Sequence, residues 1–370
     1  MRKRFDLKNI ALSIATPLLA ILFSLAVTSI LLLITGANPL STFASMVEYG
    51  FRPRTTVLII NQTTVYYLSA VAVAIGFRMN LFNIGVDGQY RLAAMLAAAF
   101  AGYVTLPPVI SQFATIGVAM LVGAMWAGIA GLLRAYRGVS EVISTIMLNF
   151  IATAIVAYLL TPGRLAETVE GSNTVKTPDV PESARIGGLP LIPGTSEEVN
   201  GFIVIAALVG FLYWFGVNRT RFGFDLRATG MSEPAAVSSG VNVKRMIVTA
   251  MLISGAVAGL VGMPQLLGAS YSYSLDFPTG LGFTGIAIAL LGRNNPIGIV
   301  LAAWLWAFLD QSAQILDLEG ISPEIVKIMQ GVVVLSVVIA YELLRRYRLR
   351  QVAAEVAREL GDRQPEEVKV

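Results

Sequence analysis

The chain has 370 residues, of which 55% are hydrophobic and 14% charged, whereas soluble proteins carry about 25% charged residues. The charges form short blocks between long apolar runs, so the composition predicts an all-α polytopic membrane protein. Cysteine and histidine are absent, which excludes disulfides, thiolate nucleophiles, Ser-His-Asp triads and histidine-ligated metals. The net charge is +4, and the basic residues flank the apolar runs. This placement indicates membrane orientation rather than nucleic-acid binding.

Ten apolar runs follow one another along the chain, each compared with the roughly 20 residues that a helix needs to cross a bilayer. The first is longer than the core of a cleaved signal peptide, so we expect a retained helix. The eighth is short and bordered by glycines, which predicts a half-helix or a tilted segment. The predicted spans are 10–35, 57–77, 89–106, 113–133, 141–161, 200–217, 246–267, 281–291, 297–316 and 325–343.

The basic residues predict how these spans are oriented. With the N-terminus in the cytoplasm, 21 of the 27 Lys and Arg residues fall in cytoplasmic segments, among them the segment 78–91. Cytoplasmic loops are enriched in Lys and Arg. The bias therefore predicts a multi-pass protein with both termini in the cytoplasm.

Two interruptions of the apolar pattern lie in corresponding places of the two halves. The first is residues 82–89, Phe-Asn-Ile-Gly-Val-Asp-Gly-Gln, and the second is residues 280–296. Inside a bilayer, non-helical backbone is tolerated only where protein or water covers it. Because the second five spans begin from the opposite side, the pattern predicts an inverted 5+5 repeat with a transport pathway near the repeat interface.

The chain is expected to form a permease domain over 1–350 and a charged cytoplasmic tail over 351–370. The largest external loop, 162–199, is rich in proline and holds more acidic than basic residues. It is either a tolerated surface connection or a docking surface for an external partner. Loops of this length are commonly functional, so the length slightly favours the docking surface.

The predicted cytoplasmic segment 218–245 has basic residues at both ends and the signals of a short helix between them. Ser232 suits the N-cap, Glu233 and Pro234 suit the first turn, and Gly240 suits the exit. A basic loop that only sets topology explains the arginines but not these capping signals. We therefore expect a helix along the membrane surface that contacts a cytoplasmic partner.

Asn83, Asp87 and Gln89 are the leading candidates for the substrate pathway. Their apolar neighbours predict that the interruption dips into the protein, where a carboxylate needs a partner. Arg78 and Arg91 are the nearest cations in sequence. Two roles are open for the three polar residues: contact with the transported molecule, and a structural lock that holds the broken helices in register.

Two more pathway candidates lie within predicted spans. Asn149 lies a little over two turns after Glu141, and an amide at mid-span either bonds another helix or faces a cavity. Asp310 either lines an outer vestibule or caps against Arg52 or Lys327.

The seventh span and the turn after it contain two further patterns. Gly255 and Gly259 are spaced by four residues, which predicts close helix packing. Tyr271, Tyr273 and Phe277 are either ordinary interfacial aromatic residues or a stacking surface for a planar ligand.

The residues alone predict a transporter without its own ATP-binding loop, since no Gly-x4-Gly-Lys-Ser/Thr motif occurs. A secondary transporter and a channel remain open at this point. Acidic residues within spans, which proton coupling requires, are scarce apart from Asp87 and Asp310. A membrane-embedded enzyme is disfavoured because histidine and cysteine are absent.

Four segments, in order, resemble phrases of nucleoside-type permeases of ABC importers, whose larger family also serves ribose, other simple sugars and branched-chain amino acids. Residues 81–89 resemble the phrase FNIG-x-(E/D)-GQ, residues 140–150 resemble EVISTIMLN, and residues 282–298 resemble GFTGIAVALLG-(K/R)-xxPxG. Residues 226–241 resemble the coupling loop of this subgroup. The chain departs from the pattern at Asp87, where glutamate is commoner, and in its long charged tail.

The resemblance implies the type II importer architecture and a location in the bacterial plasma membrane. It implies a second homologous permease, cytoplasmic ATPase subunits and an external substrate-binding lipoprotein or periplasmic protein. ATP and Mg would be used by the ATPase, and this chain would bind no cofactor directly. A nucleoside is the implied substrate, with ribose or another simple sugar as the alternative. The implied ATPase-coupling residues are Arg227, Gly230, Glu233, Ala235, Ala236 and Gly240.

Overall fold

The computed structural model describes residues 22–169, 171 and 174–362. The predicted N-terminal segment, the start of the first span and the end of the tail lie outside the described residues. The helices are α1 (Leu22–Ile34), α2 (Pro39–Gly50), α3 (Pro53–Phe77), α4 (Val86–Tyr103), α5 (Ile110–Arg137), α6 (Glu141–Leu159), α7 (Phe202–Arg219), α8 (Arg221–Met231), α9 (Glu233–Ser238), α10 (Val243–Gly259), α11 (Met263–Gln265), α12 (Leu281–Leu291), α13 (Pro296–Ser312), α14 (Gln314–Leu318) and α15 (Glu324–Asp362).

The described strands are short and lie between α6 and α7, in the predicted external loop. They form two antiparallel pairs, in which Glu167 is opposite Lys176 and Gly188 is opposite Asn200. The strands are β1 (Glu167–Thr168), β2 (Val175–Lys176), β3 (Gly188–Leu189) and β4 (Val199–Asn200).

Six described helical segments are long and apolar enough to cross a membrane, and α1 with α2, bent by 115°, makes a seventh if it is one span. By length and composition, the described helices therefore give six or seven spans, fewer than the ten that the sequence predicts. Three other predicted spans fall on α4, α12 and α15. α4 carries Asp87 and Arg91 in its first turns, and α12 has only 11 residues. The interrupted segments therefore form helices that are too short or too polar to count as spans by length and composition.

The chain divides into two compact units, of which the larger is Val47–Ser312. The described residues up to Met46 and from Ala313 onward form the other, where the Ser24 hydroxyl donates to the Met329 carbonyl over 3.1 Å. The predicted boundary at residue 350 falls inside α15, which continues to Asp362. The helical pattern therefore does not end where the charged tail begins.

Small residues let α5 and α10 pack closely inside the larger unit. A Cβ at Gly255 would lie 2.3 Å from the Gly123 carbonyl oxygen, and one at Gly259 would lie 2.1 Å from the Ala119 carbonyl oxygen. The prediction from the four-residue spacing is thus confirmed, and the partner surface is the Ala119, Gly123 and Ala127 face of α5.

Candidate functional site

The first interruption enters the bundle and is fixed there by two side-chain amides. Asn83 and Gln89 are buried and exchange two hydrogen bonds, of 3.0 Å and 2.8 Å. Asn83 also donates to Ser254 over 2.8 Å and accepts from the backbone N–H of Gly85 over 3.1 Å. Both polar atoms of the Asn83 amide therefore have partners within the chain. This arrangement favours a structural lock over contact with the transported molecule.

Asn149 holds the same interruption from α6. Its Oδ1 accepts from the backbone N–H of Gly88 over 2.8 Å, and its Nδ2 donates to the Ile84 carbonyl over 2.9 Å. A Cβ at Gly88 would lie 2.9 Å from the Asn149 Cα, so glycine permits the approach. The amide thus bonds both the turn before α4 and the first turn of α4, and Asn149 itself is half-buried.

Asp87 lies where α4 and α12 both begin. Its Oδ1 accepts from the backbone N–H of Gly282 over 3.5 Å and from the Tyr90 hydroxyl over 3.2 Å. A Cβ at Gly282 would lie 2.5 Å from the Asp87 backbone nitrogen. Because helix N-termini carry partial positive charge, two of them together favour a carboxylate here. The two interruptions of the sequence pattern therefore meet at Asp87.

Arg91 is the cationic partner of Asp87, with 3.9 Å between its Nη1 and Asp87 Oδ2. Nη1 also donates to the Thr153 hydroxyl over 3.0 Å. Burial raises the pKa of the Tyr273 hydroxyl, and the positive charge of Arg91 acts in the opposite direction. The Arg91 Nε is buried and has no hydrogen-bond partner among the described residues. Arg91 therefore lies in α4 within the bundle, at the start of the predicted span 89–106.

Arg78, the other expected partner of Asp87, binds the far end of the second interruption. Its Nη2 donates to the Asn294 carbonyl over 2.5 Å, and its Nε donates to the Tyr213 hydroxyl over 3.3 Å. Tyr213 donates to the same carbonyl over 2.8 Å. The loop after α12 is therefore tied to the end of α3.

The segment between α11 and α12 is joined to the predicted external loop by backbone bonds. Thr177 N–H donates to the Tyr273 carbonyl over 2.9 Å, and Val180 N–H donates to the Tyr271 carbonyl over 2.7 Å. Tyr273 and Phe277 are buried and stack on one another, with centroids 4.5 Å apart. Tyr271 instead lies under the Arg185 guanidinium, 4.2 Å from its ring centroid. All three aromatic residues that are candidates for ligand stacking therefore make ring contacts within the protein.

Asp310 accepts a hydrogen bond from the Tyr66 hydroxyl. Arg52, one of its two expected partners, pairs with Glu48 at 3.3 Å. A polar cavity of about 420 Å³ lies nearby and includes Gln311. Its other lining residues include Asn61, Gln62, Glu197, Asn200 and Gln265.

The segment 218–245 forms two helices, α8 and α9, where the sequence pattern predicts one. The Thr220 hydroxyl caps α8 by accepting from Gly223 N–H over 3.1 Å. The Ser232 hydroxyl caps α9 by accepting from Ala235 N–H over 3.4 Å, and Gly240 leaves the helix with φ of +82°. The expected cap and exit residues therefore occupy those places, and α8 is an additional element.

α8 packs against the start of the first interruption. A Cβ at Gly230 would lie 2.8 Å from the Arg78 carbonyl oxygen, and the Asn80 amide donates to the Gly230 carbonyl over 2.6 Å. Leu226 is buried in a core that includes Met79. α8 therefore contacts the turn that leads into the Asn83 cluster.

The six predicted coupling residues occupy different environments. Ala235 and Glu233 are exposed, whereas Ala236 is buried. Arg227 donates to the Val217 carbonyl at the end of α7. Residues of α8, α9 and α10 line a cavity of about 880 Å³, and Ala235 and Ala236 are among them.

Four residues of the site were not identified from the sequence: Tyr90, Thr153, Ser254 and Gly282. Each is an ordinary residue of an apolar helix or its end, and its role arises from a contact with a distant segment. In the part of the chain that the structure describes, no group of three or more acidic residues is arranged to hold a metal ion.

The chain matches a protein family described as branched-chain amino acid transport system, permease component, over residues 55–338. It is 36% identical to the guanosine ABC transporter permease protein NupP of Bacillus subtilis, over 88% of this chain and 93% of NupP. It is 30% identical to the nucleoside ABC transporter permease protein NupB of Lactococcus lactis, over 90% of this chain and 93% of NupB.

Two further relatives are named for a different substrate and for a second permease. The glucose ABC transporter permease protein TsgB13 of Haloferax volcanii is 30% identical over 91% of this chain and 90% of TsgB13. NupQ of B. subtilis, also named a guanosine ABC transporter permease protein, is 25% identical over 71% of this chain and 82% of NupQ. The chain therefore belongs to the branched-chain amino acid transport system permease family and is a multi-pass membrane subunit of an ABC transporter, not itself an enzyme.

Proposed function

We propose that this chain is the permease of an ABC importer that moves a nucleoside across the bacterial plasma membrane by alternating access. The observation that carries the substrate class is the 36% identity to a guanosine permease over 88% of the chain. The identity to the nucleoside permease NupB, over a similar share of the chain, supports the same class.

The proposed topology has ten spans in an inverted 5+5 repeat, within a permease domain over 1–350 and with both termini in the cytoplasm. The meeting of α4 and α12 supports it, because each helix begins inside the bundle after a non-helical segment. From there α4 runs toward Gly102, which lies against Pro178 of the loop before α7. α12 runs to the loop of Asn294, which Arg78 binds. Discontinuous helices in corresponding positions of two halves are typical of transporter sites.

The proposed pathway passes the side of the α4–α12 junction where Asp87, Arg91 and Thr153 lie. Thr153 is exposed, and the neighbouring Arg91 side chain is 18% exposed. A charge facing hydrocarbon is costly, so this side requires water or another protein chain. The Arg91 guanidinium, held by Asp87 and by the Thr153 hydroxyl, supplies a positive charge on this side of the junction.

The other pathway candidates have supporting positions in this proposal. Asn83, Gln89 and Asn149 hold the interruption beside the path, because their polar atoms bond one another or the backbone of the interruption. Asp310 lies at the proposed outer vestibule, where a polar cavity of about 420 Å³ includes its neighbour Gln311.

The external loop 162–199 is proposed as the docking surface for a substrate-binding protein. Its bonds to Tyr271 and Tyr273 connect it to the segment that leads into α12. Movement of this loop on docking would therefore reach the junction at Asp87 through continuous backbone.

We assign coupling to α8 and α9, with cytoplasmic ATPase subunits that use ATP and Mg. Support comes from the exposed Ala235 and Glu233 and from the contact of Gly230 with the turn at Arg78. A second homologous permease completes the pathway, since NupP and NupQ are two permeases named for one substrate in one organism.

A sugar such as ribose or glucose is the second candidate substrate. The specific observation in its favour is the 30% identity to the glucose permease TsgB13 over 91% of the chain. The architecture and the coupling route are the same in both cases.

Substrate-stimulated ATPase activity tests the proposal. The complete transporter, with its partner permease, ATPase and binding protein, is reconstituted in vesicles and titrated with nucleosides, ribose, glucose and branched-chain amino acids. We expect stimulation by nucleosides and a decrease of about tenfold in stimulation for Ala235→Phe, because bulk on exposed α9 obstructs the ATPase contact.

Ala207→Phe is the matched control, since Ala207 is exposed on α7 away from α8 and α9, and it should leave stimulation unchanged. Stimulation by sugars alone would overturn the nucleoside assignment and keep the architecture. Uptake that follows an ion gradient without any ATPase would contradict the import mechanism.

A further inference from the structure

Three charged side chains connect the end of α5, the start of α6 and α9. The Arg134 Nε is 3.4 Å from Glu141 Oε2, and its Nη2 is 3.9 Å from Glu233 Oε1. The three residues come from separate helices, and Arg134 stands between the two carboxylates. One guanidinium is therefore shared by α6 and α9.

The Glu141 half of this cluster is buried. The side chain of Glu141 is 10% exposed, against 33% for Arg134 and 53% for Glu233. An exposed ion pair contributes little to stability, whereas removing one partner of a buried pair leaves a charge without compensation. Arg134 is therefore held firmly by Glu141 and reaches out from it toward α9.

α6 connects this cluster to the first interruption. Asn149 lies eight residues after Glu141, roughly 12 Å along the helix, and bonds the backbone of Ile84 and Gly88. A displacement of the α6 N-terminus would therefore move the Asn149 amide and the segment that begins α4.

We propose that Arg134 is a positioning residue that transmits movement of α9 to α6 and so to the α4–α12 junction. This inference rests on the proposed role of α9 in coupling. Coupling requires that the α9 surface and the α4–α12 junction act on one common element. α6 meets this requirement, because Arg134 contacts its start and Asn149, at its middle, bonds the segment that begins α4.

Uptake per ATP hydrolysed, measured in vesicles with the complete transporter, tests the inference. We expect Arg134→Gln to lower this ratio about fivefold or more by reducing the maximal uptake rate, with the KM for substrate unchanged. Arg134→Lys retains the charge and should restore most of the ratio. Arg137→Gln is the matched control, because Arg137 is exposed, lies one turn later in α5 and forms no ion pair with a described side chain.

Glu233→Gln keeps the test valid if Arg134→Gln fails to fold, since Glu233 is exposed and its loss leaves no buried charge. It should also lower the ratio, and the Arg134→Gln/Glu233→Gln double variant should be no worse than Arg134→Gln alone. Wild-type ratios in both single variants would overturn the inference and leave the proposed function intact. If the wild-type complex itself shows no substrate-stimulated ATPase activity, the proposed function fails first.

Discussion

Replacing Gly123 with alanine is expected to destabilise the protein strongly, whereas the same change at Gly117 is expected to be tolerated. A Cβ at Gly123 would lie 2.2 Å from the Gly255 carbonyl oxygen and 2.9 Å from the Gly259 backbone nitrogen. These atoms belong to backbone, so no side chain can rotate away and α5 must separate from α10. Overpacking a core costs about 1–3 kcal/mol, and we expect about 3 kcal/mol or more here.

Gly117 provides the matched control for this prediction. It lies in the same helix, is exposed, and has no atom within 4 Å of the position that a Cβ would take. Alanine is the better helix former by about 1 kcal/mol, so Gly117→Ala should be neutral or slightly stabilising. The midpoint of thermal unfolding of the purified protein in detergent measures both variants. Equal midpoints would contradict the close approach of α5 and α10.

Replacing Asn83 with leucine is expected to have the second large effect. The change keeps a side chain of similar size but leaves both polar atoms of the Gln89 amide and the Gly85 N–H without their partner. A buried polar group that loses its partner costs about 1–3 kcal/mol, so we expect a loss of about 3 kcal/mol or more in unfolding free energy.

A double-mutant cycle separates this lock from a simple loss of packing. Gln89→Leu alone should also destabilise, but Asn83→Leu/Gln89→Leu should cost clearly less than the sum, because neither amide is then left unpaired. Asn218→Leu is the control, since Asn218 is exposed and, among the described residues, its side chain bonds only the Trp214 carbonyl of its own helix. Additive losses for Asn83 and Gln89 would mean that the two side chains do not depend on each other.

The sequence was sufficient to identify the interruption at 82–89 and its entry into the protein, because apolar residues flank a run of polar and glycine residues. It did not reveal that Asn83 pairs with Gln89. The pair depends on the non-helical turn before α4, because a regular helix would place two residues six positions apart on different faces. Ser254, the third member, is remote in sequence, and only packing of α10 brings it there.

The spacing of Gly255 and Gly259 was sufficient to predict close packing, since small residues four apart form one face of a helix. The partner face on α5 was not predictable, because many helices of this chain carry alanine and glycine at such spacings. The count of ten spans was less secure for a physical reason. Hydropathy measures apolar length, whereas α4 and α12 begin inside the bundle and are covered by protein.

Arg134 shows a second limit of sequence reasoning. A cation beside an apolar run is explained by membrane orientation, so composition gives no reason to assign it another role. Its contacts with Glu141 and Glu233 depend on three helix ends that meet only in the folded chain.

The central claim is that the transport pathway passes the α4–α12 junction, and the reactivity of a single cysteine at position 153 tests it most directly. The natural chain has no cysteine, so Thr153→Cys is the only reactive thiol in the permease. If the path passes Arg91 and Thr153, a charged thiol reagent should modify this cysteine, and a non-hydrolysable ATP analogue should change the rate and the accessible side of the membrane. Val204→Cys, on an exposed apolar part of α7, should stay unmodified. A cysteine at 153 that is unreactive in every nucleotide state would contradict a pathway at the α4–α12 junction.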